Sequence, residues 1–456
     1  MLLNQLRLIK NYVNQLKELP TFLSIVFMKT VLECFPDKVI RYIGNQLGIL
    51  LYFFIPALRK TAHLNLNLIY GNEKTRKEKI AIAKKSLKHM AITLLEIITV
   101  NKTVRDIDLK IKIRTDENNK HIINNQQLKE LFELLDSRKG VIFFCGHQAN
   151  WEMPFLFITG KYAGIALAKT VKNSKIQNYL TKLRETRKGS IISPGNGISK
   201  SISALEKGKF IGIVGDQAFL RSDYSYPFMG YKAWTTTSPA LLAYKTSCPV
   251  FGVSLKRYEK YHEITLTPPI FANKKSEIKE EIVRIMDSLL AHLEKGVQEA
   301  PEQWMWFHKR WKQKLNPKIL KAYHYSFILI LLPEAVSDTL LSLTQDLCLL
   351  YQGADISVAI AKTTTVPLPT TITKIIYDGI EQIKTIPNKF QMVFDFIDSR
   401  KLRKFYKKTG SLKIFKKNKF IKKECHLQHD DILRKTFLKP LQPKKETKNY
   451  ARSSSC

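Results

Sequence analysis

VIFFCGHQANWEMPF, Val141 to Phe155, sets five apolar residues directly before a glycine and a histidine, with a glutamate five positions beyond the histidine. Such a short apolar run, bounded by turn-forming residues, predicts a strand buried on both faces. Parallel sheets place their chemistry at the carboxyl ends of strands. His147 falls at that end, and Gly146 permits a sharp exit from the strand. A helix opening near Asn150 would put Glu152 in its first turn, where the macrodipole keeps a carboxylate ionised, and Asn150 is suited to cap that helix. On one continuous helix a spacing of five turns two side chains about 140° apart, so His147 and Glu152 can meet only across a strand-to-helix turn. An ionised carboxylate that fixes an imidazole tautomer makes the ring a general base, worth about 10²–10⁴-fold in rate. On spacing alone, a histidine that merely caps a helix fits equally well. Zinc fits less well than either, because no H-E-x-x-H and no third ligand lie nearby. Cys145, with apolar flanks, reads as an inert buried thiol.

The same texture continues downstream. Apolar runs at Ile165–Val171, Phe210–Val214, Val250–Leu255 and Glu263–Leu266 alternate with amphipathic stretches such as Ile176–Arg187 and Ser199–Lys207. Strands alternating with helices predict an α/β fold with a mixed, largely parallel sheet covered by helices. Upstream, Ile80–Val100 has helical periodicity, and Lys274–Lys295 reads as a long surface helix. Arg257 and Lys260 read as members of a solvated charged face.

Bulk composition narrows the class. The chain has 456 residues, 44% hydrophobic and 25% charged, so it can bury real cores and is neither polytopic nor disordered. Its 75 basic against 39 acidic residues give +36, which calls for an anionic partner: nucleic acid, a membrane surface or a phosphorylated substrate. Six scattered cysteines without a C-x-x-C pair signal neither a disulfide scaffold nor a thiolate metal site. At the N-terminus, TFLSIVFMKTVLECF (Thr21–Phe35) is apolar but carries Lys29 and Glu33, and LGILLYFFIPAL (Leu47–Leu58) is too short to span. Interfacial anchoring is the expectation, with a buried core helix the alternative.

GHQANWEM resembles the H-x-x-x-x-[D/E] signature of glycerolipid-type acyltransferases, in the G-H-x-G-N-W-E form of the lipid A biosynthesis acyltransferase family. Gln148–Ala149 stands where that family has Phe-Gly. The likeness extends in order from about Leu47 to Lys314. It takes in R-x-x-A-x-x-N-L at Arg59–Leu66, the block containing Arg184 and Gly189, the D-Q … F-x-G … T … P-A-x-L-A block that begins at Asp216–Gln217, and APEQWMWFHKRWK. The resemblance implies an acyltransferase fold without a cofactor or metal. It implies an acyl-carrier-protein thioester as donor and an anionic glycolipid acceptor, a hydroxyl of Kdo-modified lipid IVA. The setting would be the cytoplasmic face of a bacterial inner membrane. His147 would then take the proton from the hydroxyl and Glu152 would orient the ring. Arg184 is the candidate for oxyanion or phosphate contact; Asp216, Gln217 and Asn150 complete the expected site, Asp216 without an assigned role. Trp304, Trp306 and Trp311 are expected to pack beside it. Another lysophospholipid or glycolipid acceptor, or a non-enzymatic basic protein, remain the alternatives. No nucleic-acid partner is expected, since no recognition helix or RNA-binding module is visible.

The chain thus divides into a membrane-associated helical region (1–70), an acyltransferase domain (71–316), an α/β module of unknown role (317–400) and a basic tail (401–456). That tail holds 18 Lys or Arg against 4 acidic residues and is expected to lack order alone. SFILILLPEAVSDTLLSLTQDLCLLYQGADISVAI (Ser326–Ile360), within the module, weakly resembles the opening of heptosyltransferase-like glycosyltransferases.

Overall fold

A computed structural model of the chain describes residues 19–114, 126–168, 173–185, 187–193, 197–417, 433 and 435–438. It divides into two compact units. One comprises Met1–Lys312 with Pro387–Lys389, the other Gln313–Ile386 with Phe390–Cys456.

The first unit opens with helices: α1 (19–33), α2 (Asp37–Phe54), α3 (Pro56–Tyr70), α4 (Arg76–Ile98), α5 (Val100–Arg105) and α6 (Ile107–Lys110). Thr75 and Glu78 start α4 with a reciprocal capping box, each side chain taking the other's backbone N–H. Helix α2 lies against α4 through Gly44 and Gly48. A Cβ on Gly48 would sit 2.4 Å from the Cα of Lys88, so two backbones meet where only hydrogen fits.

The sheet follows: β1 (Ile111–Arg114), β2 (Val141–Cys145), β3 (Gly164–Leu167), β4 (Gly189–Ile192), β5 (Phe210–Val214), a β6–β7 hairpin (Ser225–Phe228, Tyr231–Trp234), β8 (Val250–Arg257) and β9 (His262–Leu266). Helices α7 (Gln126–Asp136), α8 (Met153–Ile158), α9 (Ser174–Arg184), α10 (Gly197–Glu206), α11 (Ser238–Thr246) and α12 (Ile278–Glu299) connect or cover the strands. Seven strands run in the order β1-β9-β8-β2-β5-β3-β4. All pairings are parallel except β8 with β9, as the expected mixed, largely parallel sheet requires. Strand β2 is central and wholly buried. Its Val141, Phe143 and Cys145 share a core with Leu131 and Leu135 of α7 and with Met153, Phe155 and Leu156 of α8. Ile142 and Phe144, which alternate with them, are buried too, because α10, α11 and α12 pack on β5, β2 and β8. The helix expected from Lys274 is α12, and it is not a surface element throughout. Ile285, Met286, Leu289, Leu290, Leu293 and Val297 form a buried stripe at helical spacing.

The second unit is a five-stranded, all-parallel sheet in the order β12-β11-β10-β13-β14, built from β10 (Phe327–Leu331), β11 (Asp355–Ala361), β12 (Thr373–Tyr377), β13 (Met392–Asp395) and β14 (Lys413–Lys416). Helices α13 (Asp338–Leu350), α14 (Ile380–Ile383) and α15 (Arg400–Thr409) connect these strands. Its core reaches into the segment expected to lack order. Helix α15 buries Leu402 and Tyr406, β14 pairs with β13, and Leu433 and Phe437 join the apolar cluster. Apolar residues spaced four apart, hidden among lysines, account for the difference. The rest of the tail, residues 418–432, 434 and 439–456, lies outside the described residues.

No single described helix is long and apolar enough to cross a membrane. Helices α2 and α3 pass that test only as a pair, bent by 89°. The α2–α4 crossing yields a direct test. Gly48→Val should cost about 1–3 kcal/mol in denaturant unfolding, because the branched side chain must displace the α4 backbone. An unchanged unfolding midpoint would mean the two helices do not meet there.

Candidate active site

Parallel pairing of β2 with β5 aligns Cys145 with Val214. Each strand ends in glycine and then a titratable residue: Gly146–His147 after β2, Gly215–Asp216 after β5. Register therefore carries His147 and Asp216 to the same level of the sheet. Gly146 has no side chain to intervene, since a Cβ there would stand 3.0 Å from Asp216 Oδ2.

His147 Nδ1 donates to Asp216 Oδ1 at 2.5 Å, and the His147 backbone N–H donates to Oδ2 at 2.8 Å. Trp304 Nε1 donates to the same Oδ2, also at 2.8 Å. Asp216 is fully buried. Burial by itself would raise its pKa; the His147 charge and hydrogen bond reverse that and hold the carboxyl far below the usual range. For His147, burial pushes down, but the Asp216 charge and hydrogen bond, with Glu152 adding, raise the imidazole above its ordinary 6.5. With Nδ1–H committed to Asp216, Nε2 keeps its lone pair, and Gln217 Nε2 stands 3.5 Å from it. Such an arrangement is able to serve as a base oriented by a buried acid. The Cys145 thiol is buried, and desolvation drives its pKa well above a free thiol's, so it is inert.

The carboxylate that holds the imidazole is thus Asp216, which corrects the expectation that Glu152 does so. Glu152 instead receives a bidentate contact from Arg184, whose Nε lies 3.1 and 3.0 Å from its two oxygens and whose Nη2 lies 2.5 Å from Oε1. The reason is local. Helix α8 begins only at Met153, leaving Glu152 at the N-cap and aimed toward α9. Arg184, expected as an oxyanion or phosphate contact, is tied to that carboxylate. Asn150 does not cap the helix through its N-cap position. Its Oδ1 accepts the Glu152 N–H at 3.2 Å and its Nδ2 donates to Glu96 at 3.0 Å.

Glu96 opens a cluster that sequence reasoning missed. Arg257 is buried, not part of a solvated face. Its Nη2 donates to Glu96 Oε2 at 2.5 Å and to Thr93 Oγ1 at 2.9 Å. Burial alone would raise the Glu96 pKa, but Arg257, His262 and Arg41 bring it down to about 2. The ionised state therefore stabilises the fold fully above the ordinary glutamate value of 4.5, and that contribution is lost as pH falls through about 2. Thr93, one turn before Glu96, donates to the Ala149 carbonyl at 2.7 Å. Helix α4 thereby grips the His147–Glu152 loop at two points. Ala149 takes φ +45°, a left-handed conformation natural to glycine.

The closing segment Pro301–Trp311 is held as firmly. Asn65 of α3 donates to the carbonyls of Trp306 and His308 at 2.7 and 2.8 Å, and Ser86 of α4 donates to that of Trp304. Arg310 donates to Thr235 Oγ1 at 2.7 Å and Trp311 Nε1 to the Phe228 carbonyl at 3.1 Å, fastening the segment to the β6–β7 hairpin. Trp304, Trp306 and Trp311 are buried, as expected for packing beside the site. Among the described residues no group of three or more metal-ligating side chains is present.

Residues 9–313 match the model of the bacterial lipid A biosynthesis acyltransferase family. The chain belongs to that family. No curated protein matches the chain. As a family member it is an acyltransferase, an enzyme that takes an acyl donor and a lipid acceptor. Residues from the blocks quoted for the resemblance meet in and around this site: Asn65, His147, Asn150, Glu152, Arg184, Asp216 and Arg310.

Removing Glu96 should leave the Arg257 guanidinium buried without its anion. Glu96→Ala is expected to cost about 3–5 kcal/mol in chemical unfolding, and Glu96→Leu with Arg257→Met to recover much of that. A Glu96→Ala chain as stable as the parent would show the pair contributes nothing.

Proposed function

We propose that the protein transfers a fatty acyl chain from an acyl-carrier-protein thioester to a hydroxyl of a lipid A precursor, Kdo-modified lipid IVA, at the cytoplasmic face of the inner membrane. The observation that carries this reading is His147 Nε2, left as an acceptor because Nδ1–H is committed to the buried Asp216.

In this mechanism His147 Nε2 removes the proton from the acceptor hydroxyl as its oxygen attacks the thioester carbonyl. Asp216 holds the ring and stabilises the imidazolium that forms. The tetrahedral oxyanion collapses, the C–S bond breaks, and the leaving thiolate takes the proton back from His147. The products are an ester and the free carrier thiol. Glu152, bound by Arg184, adds negative potential at the imidazole. Gln217 and Asn150 are assigned to substrate contact and loop support respectively.

Membrane association is supported by an apolar stripe on α1, where Leu23, Phe27 and Val31 are exposed at four-residue spacing, and by Leu50, Phe53 and Phe54 near the end of α2. Exposed faces of this kind seat in the interface between headgroups and acyl chains.

The test is incubation of the purified protein with acyl carrier protein thioesters and Kdo-modified lipid IVA, read by mass spectrometry. One added acyl chain is expected, and His147→Ala should lower the rate about 10²–10⁴-fold, the worth of a positioned general base. Full activity of His147→Ala would remove the mechanism, and acylation of a lysophospholipid alone would replace the acceptor. Because a raised imidazole pKa must be passed before the base is free, kcat/KM should climb with pH through a value above 6.5. A flat profile across pH 5.5–8 would contradict that sign.

A further inference from the structure

We infer that Trp304 is a positioning residue of the acyl transfer, acting through Asp216; this rests on the reading of His147 and Asp216 given above. A carboxylate can swing about its Cβ–Cγ bond, and only one orientation presents Oδ1 squarely to His147 Nδ1. Two N–H donors fix the other oxygen: the His147 backbone N–H and the Trp304 indole, both 2.8 Å from Oδ2. One of these belongs to the residue being positioned. The indole is therefore the independent anchor.

The anchor itself is closely packed. Trp304 is 1% exposed and lies 4.9 Å, centroid to centroid, from both Trp306 and His308, and 5.7 Å from Phe228. Its carbonyl accepts from Ser86 of α4, and its backbone forms an antiparallel bridge with Gln148, next to the histidine. The closing segment, the histidine loop and the strand-end aspartate thus meet at a single residue, whose backbone holds the first two and whose indole reaches the third. The N–H dipole also places a partial positive charge against the anion. That stabilises ionised Asp216 and opposes the second positive charge of an imidazolium. The other titratable and charged groups that face this pair are Glu152, the inert Cys145 thiol, Arg310 and His308. Burial takes His308 down to about 4, so it is neutral at working pH.

Trp304→Phe keeps an aromatic ring at the position but removes the indole N–H together with part of the bicyclic ring, so the comparison in the Asp216→Asn background separates the lost hydrogen bond from the lost packing. The substitution should lower kcat by tenfold or more with KM nearly unchanged, and move the acid limb of the kcat/KM profile to higher pH. Added to Asp216→Asn, the same substitution should cost less than twofold, since the group it acts through is already altered. A merely packing role would cost the same factor in both backgrounds, and that result would overturn the inference. Should Trp304→Phe fail to fold, the indole resonance of Trp304 in the ¹⁵N-tryptophan-labelled parent provides the test. It should be protected and downfield, and shift on Asp216→Asn; an insensitive resonance overturns the inference. Wild-type kinetics for Trp304→Phe beside an inactive His147→Ala would reject the tryptophan's role and leave the base intact. An active His147→Ala would reject the underlying reading instead.

Discussion

A carboxylate with no access to water, Asp216, must be compensated wherever the fold puts it, and much of the first unit is arranged around that requirement. An isolated buried anion is costly enough that it either protonates or finds donors. Here it finds three, two from His147 and one from Trp304. Satisfying the anion and aiming the imidazole are one and the same set of contacts. The strand register, the glycine at each strand end and the closing tryptophan segment all serve that local electrostatic demand.

A second buried charge ties the N-terminal helices to the same loop. Glu96 on α4 meets Arg257 from β8 and Asn150 from the histidine loop, while Arg41 of α2 stands 3.6 Å away. Helices α1 to α4 run across the expected boundary near residue 70. They share one compact unit with the sheet, and α3 and α4 supply hydrogen bonds to both site loops. The helices that present apolar side chains outward are thus continuous with those that brace the chemistry.

Much of this was legible in the sequence. VIFFC and FIGIV announced buried strands, and His147, Glu152, Arg184, Asp216, Gln217 and Asn150 all lie on loops or helices around the carboxyl ends of these two adjacent strands. The partner of the imidazole was misread because spacing along the chain favours a near neighbour, whereas strand pairing joins residues 69 apart. A signal was present: CGH after one strand and VGD after another are the same strand–glycine–titratable pattern, and adjacent parallel strands bring such patterns level. Arg257 was misread because an arginine beside lysines resembles a solvated face, and only the fold reveals Glu96 opposite it. The Gln148–Ala149 departure shows its consequence as well: alanine adopts the φ of +45° that a glycine takes without strain. In the tail, Leu402 and Tyr406 were hidden among lysines, although their spacing of four was a helix signature.

The contact on which the site turns can be observed without substrate. In ¹⁵N-histidine-labelled protein, His147 should carry its proton on Nδ1 when neutral, titrate above a free imidazole, and lose both features on Asp216→Asn. A His147 that titrates as a free imidazole, indifferent to Asp216, would contradict the buried acid–base pair at its root.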